Sequence, residues 1–374
     1  MTSAPFHVEV YDKAFVRRGF LNDFSHVTMR VRHNRRSTVE IGLAADQVYA
    51  ADVLGPGARV VARYTSPGGV ATVVSGSVAG MRAEGPSLDS TVVVQVAGDW
   101  FDFLTWPVPG NALDAQSSAY YTATGAAETV IKNLVTANGV TRLGLPYTVA
   151  ASLGRGSTVH ASNRMEPAGD AIGVLADAGG IGVRVVQSGA GCSVDCYEGV
   201  DRTVRTLSEA GGTVVDWAWT SSAPTVTRVV VGGQGEEAAR VFRTRADTTV
   251  ESEWGIIREV FVDARDLAAT GDLDARGDQA VADGAAVSGF TVTLSDTVSV
   301  AYGDNLAVGD LVRVETLPGV VRDDILREVY LTSTVGDGVH AVPVFGDPDT
   351  TDPTRVTAKA IANLAAAVRK LRAR

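Results

Sequence analysis

The sequence is poor in the residues and segments that mark secreted, membrane-spanning or metal-binding proteins. It has two cysteines, five histidines and 6% aromatic residues among 374 positions. No apolar run approaches the roughly 20 residues that cross a bilayer, so we expect no membrane span. The first stretch, MTSAPFHVEVYDKAF, has no basic patch followed by an apolar segment, which argues against a secretory signal. We expect a protein that is made in the cytoplasm.

An excess of basic residues is also lacking. The formal net charge is −10, from 43 acidic and 33 basic residues. A general nucleic-acid binder needs a net basic face to neutralise phosphates, so we expect no sequence-specific nucleic-acid binding. With 45% apolar and 20% charged residues, the chain is predicted to form two or three soluble globular domains.

The two cysteines predict neither a disulfide nor a zinc site. If GCSVDCYEG is a strand, Cys192, Val194 and Cys196 share one face. The cysteines then lie roughly 13 Å apart at about 3.3 Å per residue. A disulfide needs Cα atoms within about 7 Å. A zinc ion would need further ligands, and the histidines are scattered. Two reduced thiols in the core are therefore expected.

The common catalytic motifs are absent from the sequence. It contains no His-Glu-x-x-His, no Gly-x-Ser-x-Gly, no phosphate loop ending in Gly-Lys-Ser/Thr and no calcium-loop pattern. VGGQGEEAAR predicts a hairpin turn, since Glu236 and Glu237 would repel a phosphate. LGRGSTVHASN brings Ser157 and His160 together without a partner acid, and predicts a polar loop. We expect no cofactor and no metal.

Short alternating runs with abundant Val and Thr mark a β-rich chain. Helical periodicity occurs near Thr124 to Gly139, near Asp170 to Ala178 and near Asp272 to Ala286. The predicted fold is α+β but mostly β: two similar small antiparallel β-barrel domains, an inserted α+β domain and a C-terminal helix. The barrels are assigned to residues 1–110 and 223–350, the inserted domain to 111–222 and the helix to 351–374, with a helical insertion at about 263–287.

A sequence similarity between two segments of the chain, here called the echo, supports the prediction of two barrels. LGPGARVVA at 54–62 aligns without gaps to LAVGDLVRV at 306–314. Each segment is followed by Pro-Gly and later by Gly-Asp, in the same order and at similar spacing. Leu-x-x-Gly-x-x-Val is also ordinary at the start of a strand, but the three shared landmarks favour a duplicated barrel.

The stretch IIREVFVDARDL places Asp263, Arg265 and Asp266 within four positions. Two carboxylates beside a guanidinium could perform acid–base chemistry or hold a metal. The alternating run before them predicts a strand instead. Asp263 and Asp266 would then accept hydrogen bonds from free backbone N–H groups at a corner. Arg265 would pair with either acid or with a neighbouring subunit.

Two basic segments are candidate contacts between subunits. RVRHNRRS predicts a hairpin with Met29 and Val31 facing inward, Arg30 and Arg32 facing outward and Arg35 and Arg36 at the tip. A solvated hairpin that protects a sheet edge is the alternative. The terminal helix has one apolar stripe, which packs on its own domain or forms an intersubunit bundle. The candidate intersubunit residues are Arg30, Arg32, Arg35, Arg36, Arg265, Ile361, Leu364, Val368 and Leu371.

Several longer segments together resemble a known protein family. They are REVFVDARDL followed by a helical segment, SDTVSVAYGDNLAVGDLVRVETLPGV, REVYLTSTVGDGVHAVPVFGD and the earlier GDWFDFLTWPVPG. The chain resembles, over nearly its whole length, minor tail proteins of the baseplate-hub type from long-tailed actinobacterial phages. These motifs are structural and say nothing about catalysis.

The resemblance implies a homotrimer at the tail tip. Three chains with two barrels each would form a ring of six barrels, matching the six-fold tail tube. The implied partners are the distal tail protein ring, the tape-measure protein and other tail-tip proteins or receptor-binding fibres. Some relatives carry a lysin after the hub, whereas this sequence ends in a short basic helix.

The leading hypothesis is a structural, non-enzymatic virion protein that joins the tail tube to the tip and forms part of the DNA channel. The alternative is a tail-associated hydrolase that degrades cell walls through Asp263 and Asp266. A carbohydrate-binding β module is a third hypothesis, disfavoured because aromatic residues are few.

Overall fold

A computed structural model describes residues 5–21, 23–44, 50–84, 91–109, 120–265, 267–294, 301–334 and 338–346. The protein is mostly β, as predicted, and has a large sheet and few helices. The predicted terminal helix, 351–374, lies outside the described residues, so Ile361, Leu364, Val368 and Leu371 are not placed.

The N-terminal part forms the first set of strands. Its strands are β1 (Phe6–Tyr11), β2 (Arg17–Leu21), β3 (His26–Arg32), β4 (Thr38–Ala44), β5 (Arg59–Thr65), β6 (Ala71–Glu84), β7 (Thr91–Gly98) and β8 (Pro107–Val108). Two short helices interrupt it, α1 (Ala50–Val53) and α2 (Trp100–Thr105). Within β3, Met29 and Val31 are buried as the alternation predicts.

The middle part is α+β. Its strands are β9 (Tyr121–Ala126), β10 (Tyr147–Val149), β11 (Thr158–Asn163), β12 (Glu166–Pro167), β13 (Gly182–Ser188), β14 (Gly191–Tyr197) and β15 (Asp201–Leu207). Its helices are α3 (Ala127–Val135) and α4 (Ala168–Gly179), and α4 ends at Gly180 in the left-handed conformation. These helices pack with β13 and β14 into a second core that contains both cysteines, which are buried and free.

Two local predictions in the middle part are wrong. The first helix does not stop at Asn138 and Gly139 but continues as a π-helical turn over Thr136–Arg142. Gly139 lies against Tyr147, where a Cβ atom would come within 3.1 Å of the ring, so this glycine serves packing rather than termination. The predicted polar loop at LGRGSTVHASN holds only in its first half, because His160 lies on β11.

The C-terminal part supplies β16 (Val214–Ser222), β17 (Arg228–Gly232), β18 (Phe242–Ala246), β19 (Glu259–Asp263), β20 (Val287–Leu294), β21 (Leu311–Leu317), β22 (Val320–Thr334) and β23 (Gly338–Gly346). Its helices are α5 (Thr248–Trp254) and α6 (Thr270–Asp283). A separate sheet, β18-β17-β19, packs one face on α6. Although β16 falls within the middle segment assigned from the sequence, it pairs with β20 in the large sheet. The domain limits themselves stay predictions.

In the described part of the chain, one sheet of thirteen strands joins the first and last parts. Its main path is β16-β20-β23-β22-β3-β4-β7-β6-β5-β1-β2, and β21 with β15 branches from β22. The order β16-β20-β23-β22-β21 therefore repeats β3-β4-β7-β6-β5. This shared strand order agrees with the repeat predicted from the sequence, whereas the two separate barrel domains stay a prediction.

The equivalence of the two strand sets extends to single residues. Arg59 pairs with Ser77 in the first set, and Leu311 pairs with Ile325 in the second. The echo aligns Arg59 with Leu311. Directly after Ser77 and Ile325, the pairing of each long strand with its next neighbour shifts in register. The shift lies between Val78 and Gly80 in β6 and between Leu326 and Glu328 in β22. The likeness ends beyond the hairpins, because β1 is antiparallel to β5 whereas β15 is parallel to β21.

Candidate functional sites

The predicted basic hairpin contacts the second strand set of the same chain. Arg30 donates two hydrogen bonds to Glu328, Nε to Oε1 at 2.7 Å and Nη2 to Oε2 at 2.9 Å. Arg32, the strand partner of Glu328, lies 2.7 Å from Oε2. Burial raises the pKa of Glu328, but the two guanidiniums outweigh it, so the pKa is lowered overall. Within one chain, these arginines join the two strand sets.

The tip of this hairpin, residues 33–36, contacts the middle part of the chain. Asn34 is fully buried with a φ of 51°, donates to Asp177 Oδ1 at 2.7 Å and accepts from the Val183 N–H at 2.9 Å. Arg35 lies 3.5 Å from Asp177. Arg36 stacks over Phe101 at 5.3 Å from the ring centroid. Contacts of Arg30, Arg32, Arg35 and Arg36 with another subunit stay a prediction.

His33 is a buried titratable group at the same joint. Its Nδ1 lies 2.9 Å from the Tyr197 hydroxyl, and its Nε2 lies 3.1 Å from Asn34 Nδ2. Burial lowers the pKa of His33 to about 4, and the nearby Arg327 and Arg35 also lower it, against an opposing effect of Asp177. His33 is therefore neutral at pH 7, where its contact with Tyr197 joins the hairpin to the middle part of the chain.

The corner at the end of β19 is fixed by arginines. Arg240 donates to Asp263 Oδ1, and also to the carbonyls of Gly232 at 3.0 Å and Gly233 at 3.1 Å. Arg265 Nε lies 3.7 Å from Asp263 Oδ1. Asp266 lies outside the described residues, so the carboxylate pair of the hydrolase alternative stays a prediction. Pairing of Arg265 with another subunit also stays a prediction.

A second buried contact, between the N-terminal and middle parts of the chain, was not predicted from the sequence. Arg59, 6% exposed, donates to Asp99 and to Gln187 Oε1 at 3.0 Å, and stacks over Phe15 at 4.4 Å. Asp99 also accepts from Ser75, so strands β5 and β6 are tied to β13 of the middle part. The only sequence signal was an arginine within an apolar run, which is unusual in a buried strand.

Several strand segments of the large sheet, among them the second half of β6 and strand β16, have one edge without a strand partner among the described residues. β22 pairs with β21 over its first half and with β3 over Glu328–Thr334. The equivalent second half of β6, from Gly80 to Glu84, pairs only with β7 in the described part of the chain. Likewise β3 lies between β22 and β4, whereas its equivalent β16 pairs only with β20 there. Met81 is 50% exposed and Val215 is 63% exposed on these segments.

Within the described residues, no cluster of three or more His, Cys, Asp or Glu side chains could hold a metal ion. No helix in that part of the chain is long and apolar enough to cross a membrane.

A family model matches most of this chain. The family model described as Siphovirus ReqiPepy6 Gp37-like protein matches residues 7–347. No curated protein sequence matches the chain significantly.

Solved structures from three bacteria share the fold. The 43 kDa tail protein of prophage MuSo2 from Shewanella oneidensis has a TM-score of 0.58 at 13% identity, covering 92% of this chain and 100% of its own. The prophage tail protein gp18 from Listeria monocytogenes has a TM-score of 0.54 at 12% identity, covering 96% and 99%. A tail protein from Neisseria meningitidis has a TM-score of 0.55 at 12% identity, covering 92% and 97%.

Proposed function

Because the chain belongs to the siphovirus Gp37-like family of phage tail proteins and shares the fold of prophage tail proteins, we propose that it is the trimeric hub at the tail tip. Its role there is structural rather than enzymatic. It joins the tail tube to the tip, lines part of the DNA channel and contacts the distal tail protein ring, the tape-measure protein and other tail-tip proteins or fibres. The resemblance to hub proteins of actinobacterial phages is the starting point for this proposal.

The observation that carries the proposal is the internal repeat of the sheet. Within one chain, the second half of β22 is antiparallel to β3. The equivalent segments, the second half of β6 and strand β16, have no such neighbour among the described residues. If these two segments pair with each other as β22 pairs with β3, then β6 of one copy pairs with β16 of the next copy. Such a head-to-tail contact closes into a ring when its rotation matches.

The strand equivalence also sets the register of this contact. Glu328 pairs with Arg32 and Tyr330 with Arg30. Gly80 of β6 is equivalent to Glu328 of β22, because each residue directly follows the shared register shift. Ser222 of β16 is equivalent to Arg32 of β3, as the pairing of β20 with β23 and with β16 shows. Gly80 of one copy should therefore lie opposite Ser222 of its neighbour, and Arg82 opposite Thr220. Three copies with two strand sets each would place six equivalent sets around the channel.

Cross-linking between copies tests this register. We expect at least one of the double variants Met81→Cys/Ser221→Cys and Arg82→Cys/Thr220→Cys to form disulfides under mild oxidation. In an antiparallel pair of strands, the Cα–Cα distance between opposite residues alternates between a shorter and a longer value from one position to the next. At least one of the two variants therefore places its cysteines at a distance that suits a disulfide. The product on a non-reducing gel is a covalent trimer. The control is Val70→Cys/Ser221→Cys, since Val70 is an exposed residue between β5 and β6 and lies outside the proposed contact.

Two further measurements test assembly and position. Light scattering at micromolar concentration should give three times the chain mass, and a monomer there would contradict the trimer. Antibodies against the chain should label a single end of the virion tail, distal to the head. Labelling along the whole tail would contradict a position at the tip.

A further inference from the structure

An open cavity lies between the middle part of the chain and helix α6. Helix α4 and strand β11 form one wall, and α6 forms the other. The volume of the cavity is about 780 Å³, and its lining includes His160 and Asp263. Val174 on α4 also lines it and is 54% exposed. The cavity therefore offers apolar surface that the described part of the chain leaves accessible.

Both helical walls present small or apolar side chains at helical spacing. Residues three or four positions apart share one face of a helix. The residues of this kind that line the cavity are Ala171, Val174, Leu175 and Ala178 on α4, and Gly271, Ala275 and Ala282 on α6. Small and apolar side chains let another helix approach to about 8–10 Å between axes. The two walls are therefore suited to hold a third helix between them.

The segment 351–374, which lies outside the described residues, has a matching apolar stripe in its sequence. The stripe consists of Ile361, Leu364, Ala365, Val368 and Leu371. In a helix, the stripe would be about 15 Å long, at about 1.5 Å per residue. The part of α6 from Gly271 to Asp283 is about 18 Å long by the same measure. The stripe and the cavity wall are therefore of similar length.

The end of the described chain lies near this cavity. Strand β23 ends at Gly346, which pairs with Gly289 of β20. The chain from Gly289 back to Asp283, which ends α6 and lines the cavity, spans at most about 20 Å. The fourteen residues between Gly346 and Ile361 can span about 46 Å, at about 3.3 Å each. The stripe can therefore reach the cavity of its own chain.

The charges of the cavity and of the segment are complementary. Five acidic and three arginine side chains line the cavity. Asp274 and Asp278 of this lining are paired with arginines but keep lone pairs that can accept further hydrogen bonds. The segment 351–374 has six basic residues and one acidic residue, whereas the whole chain has 33 basic and 43 acidic. Electrostatic attraction therefore favours this segment as the occupant.

A second exposed apolar surface is less suitable for the segment. It is the outer face of the sheet β18-β17-β19, where Phe242 is 53% exposed and Phe261 is 55% exposed. The guanidinium of Arg240 lies over both rings, 5.5 and 5.4 Å from their centroids. A basic segment would meet a cation there, and a sheet face surrounds a helix less than two helical walls do.

From these observations we propose that the cavity between α4 and α6 is the docking site of residues 351–374 of the same chain, bound as a helix with its apolar stripe towards the cavity. The stripe is then used within one chain and is not available for a bundle between subunits. This inference does not depend on the hub role or on trimer formation.

Photo-cross-linking of the full-length protein tests the proposal. Val174→p-benzoylphenylalanine places a photoreactive group at the cavity, and Phe261→p-benzoylphenylalanine is the control at matched exposure on the small sheet. After illumination, peptide mass spectrometry should find position 174 bonded to residues 351–374. The product should keep the mass of a single chain on a denaturing gel. No capture of that segment, capture from a second copy, or equal capture by position 261 would overturn the proposal.

Two double substitutions test whether the apolar stripe makes the contact. In the chain with the photoreactive group at position 174, Leu364→Asp/Val368→Asp places two carboxylates on the stripe. Capture should fall at least about tenfold, because burying unpaired charges against apolar walls is costly. Ala362→Asp/Ala366→Asp adds the same charges on the other side of the predicted helix and should change capture by no more than about twofold. Equal capture in the two double variants would show that the stripe does not face the cavity and would overturn the proposal.

Discussion

Arg30 and Glu328, 298 positions apart in the sequence, form a two-point ion pair between the two strand sets. Glu328 is fully buried, and Arg32 shares its carboxylate. A charge removed from water in this way is stable only while its partners remain. The pair therefore makes the junction of the two sets sensitive to single substitutions.

Replacing Glu328 should test that sensitivity. Glu328→Gln keeps the size but leaves two guanidiniums without a carboxylate, and should lower the free energy of unfolding by about 3 kcal/mol. Urea unfolding followed by circular dichroism measures the change. Glu209→Gln, at an exposed turn, is the control and should stay within about 0.5 kcal/mol of the parent. An equally small effect at both positions would contradict a structural role for the pair.

Acid should weaken the joint around His33. Its pKa falls from 6.5 when unfolded to about 4 when folded, with Asp177, Arg327, Arg35 and Tyr197 facing it. Between those values the unfolded state takes up a proton that the folded state does not. Stability is therefore fully present above about pH 6.5 and is lost as the pH falls towards 4, by up to about 3 kcal/mol.

The matched variant for this measurement is His33→Gln, which keeps a polar side chain but does not titrate. Unfolding free energies at pH 7 and pH 4.5 should differ less in the variant than in the parent. The comparison cancels other groups that titrate in both proteins. Identical pH dependence in the two proteins would exclude His33 as the cause.

The buried pair of Arg59 and Asp99 should stabilise the contact between β5 and the middle part. Asp99→Asn leaves Arg59 buried without its carboxylate, so we expect a loss of about 3 kcal/mol. Faster hydrogen exchange at β13, where Gln187 contacts Arg59, should accompany it. The control is Asp52→Asn, an exposed carboxylate. Unchanged exchange at β13 would show that the pair does not hold this contact.

The two cysteines should be inert in the folded protein. Burial raises the pKa of Cys192 and of Cys196 to about 12, so almost no thiolate forms at pH 8. A colorimetric thiol reagent should label neither residue in buffer and both in denaturant. Rapid labelling in buffer would contradict their burial. Fewer than two labelled thiols in denaturant would contradict their reduced state.

Local pattern determined much of this protein. Alternation in HVTMRVRH predicted a strand with Met29 and Val31 inside, and the periodicity near Asp170 to Ala178 predicted α4. The echo between Leu54–Ala62 and Leu306–Val314 predicted the repeat, because equivalent strands need equivalent turns and apolar positions. These features depend on residues close together in the chain.

Only the tertiary structure decided which distant groups meet. The outward-facing Arg30 proved to contact Glu328, the edge strand β16 joined the large sheet, and His160 came to line a cavity with Asp263. Strand order and the pairing of buried charges depend on contacts across hundreds of positions. Hydrophobic alternation and residue spacing do not determine those contacts, because an amphipathic strand has the same pattern whichever strand lies beside it.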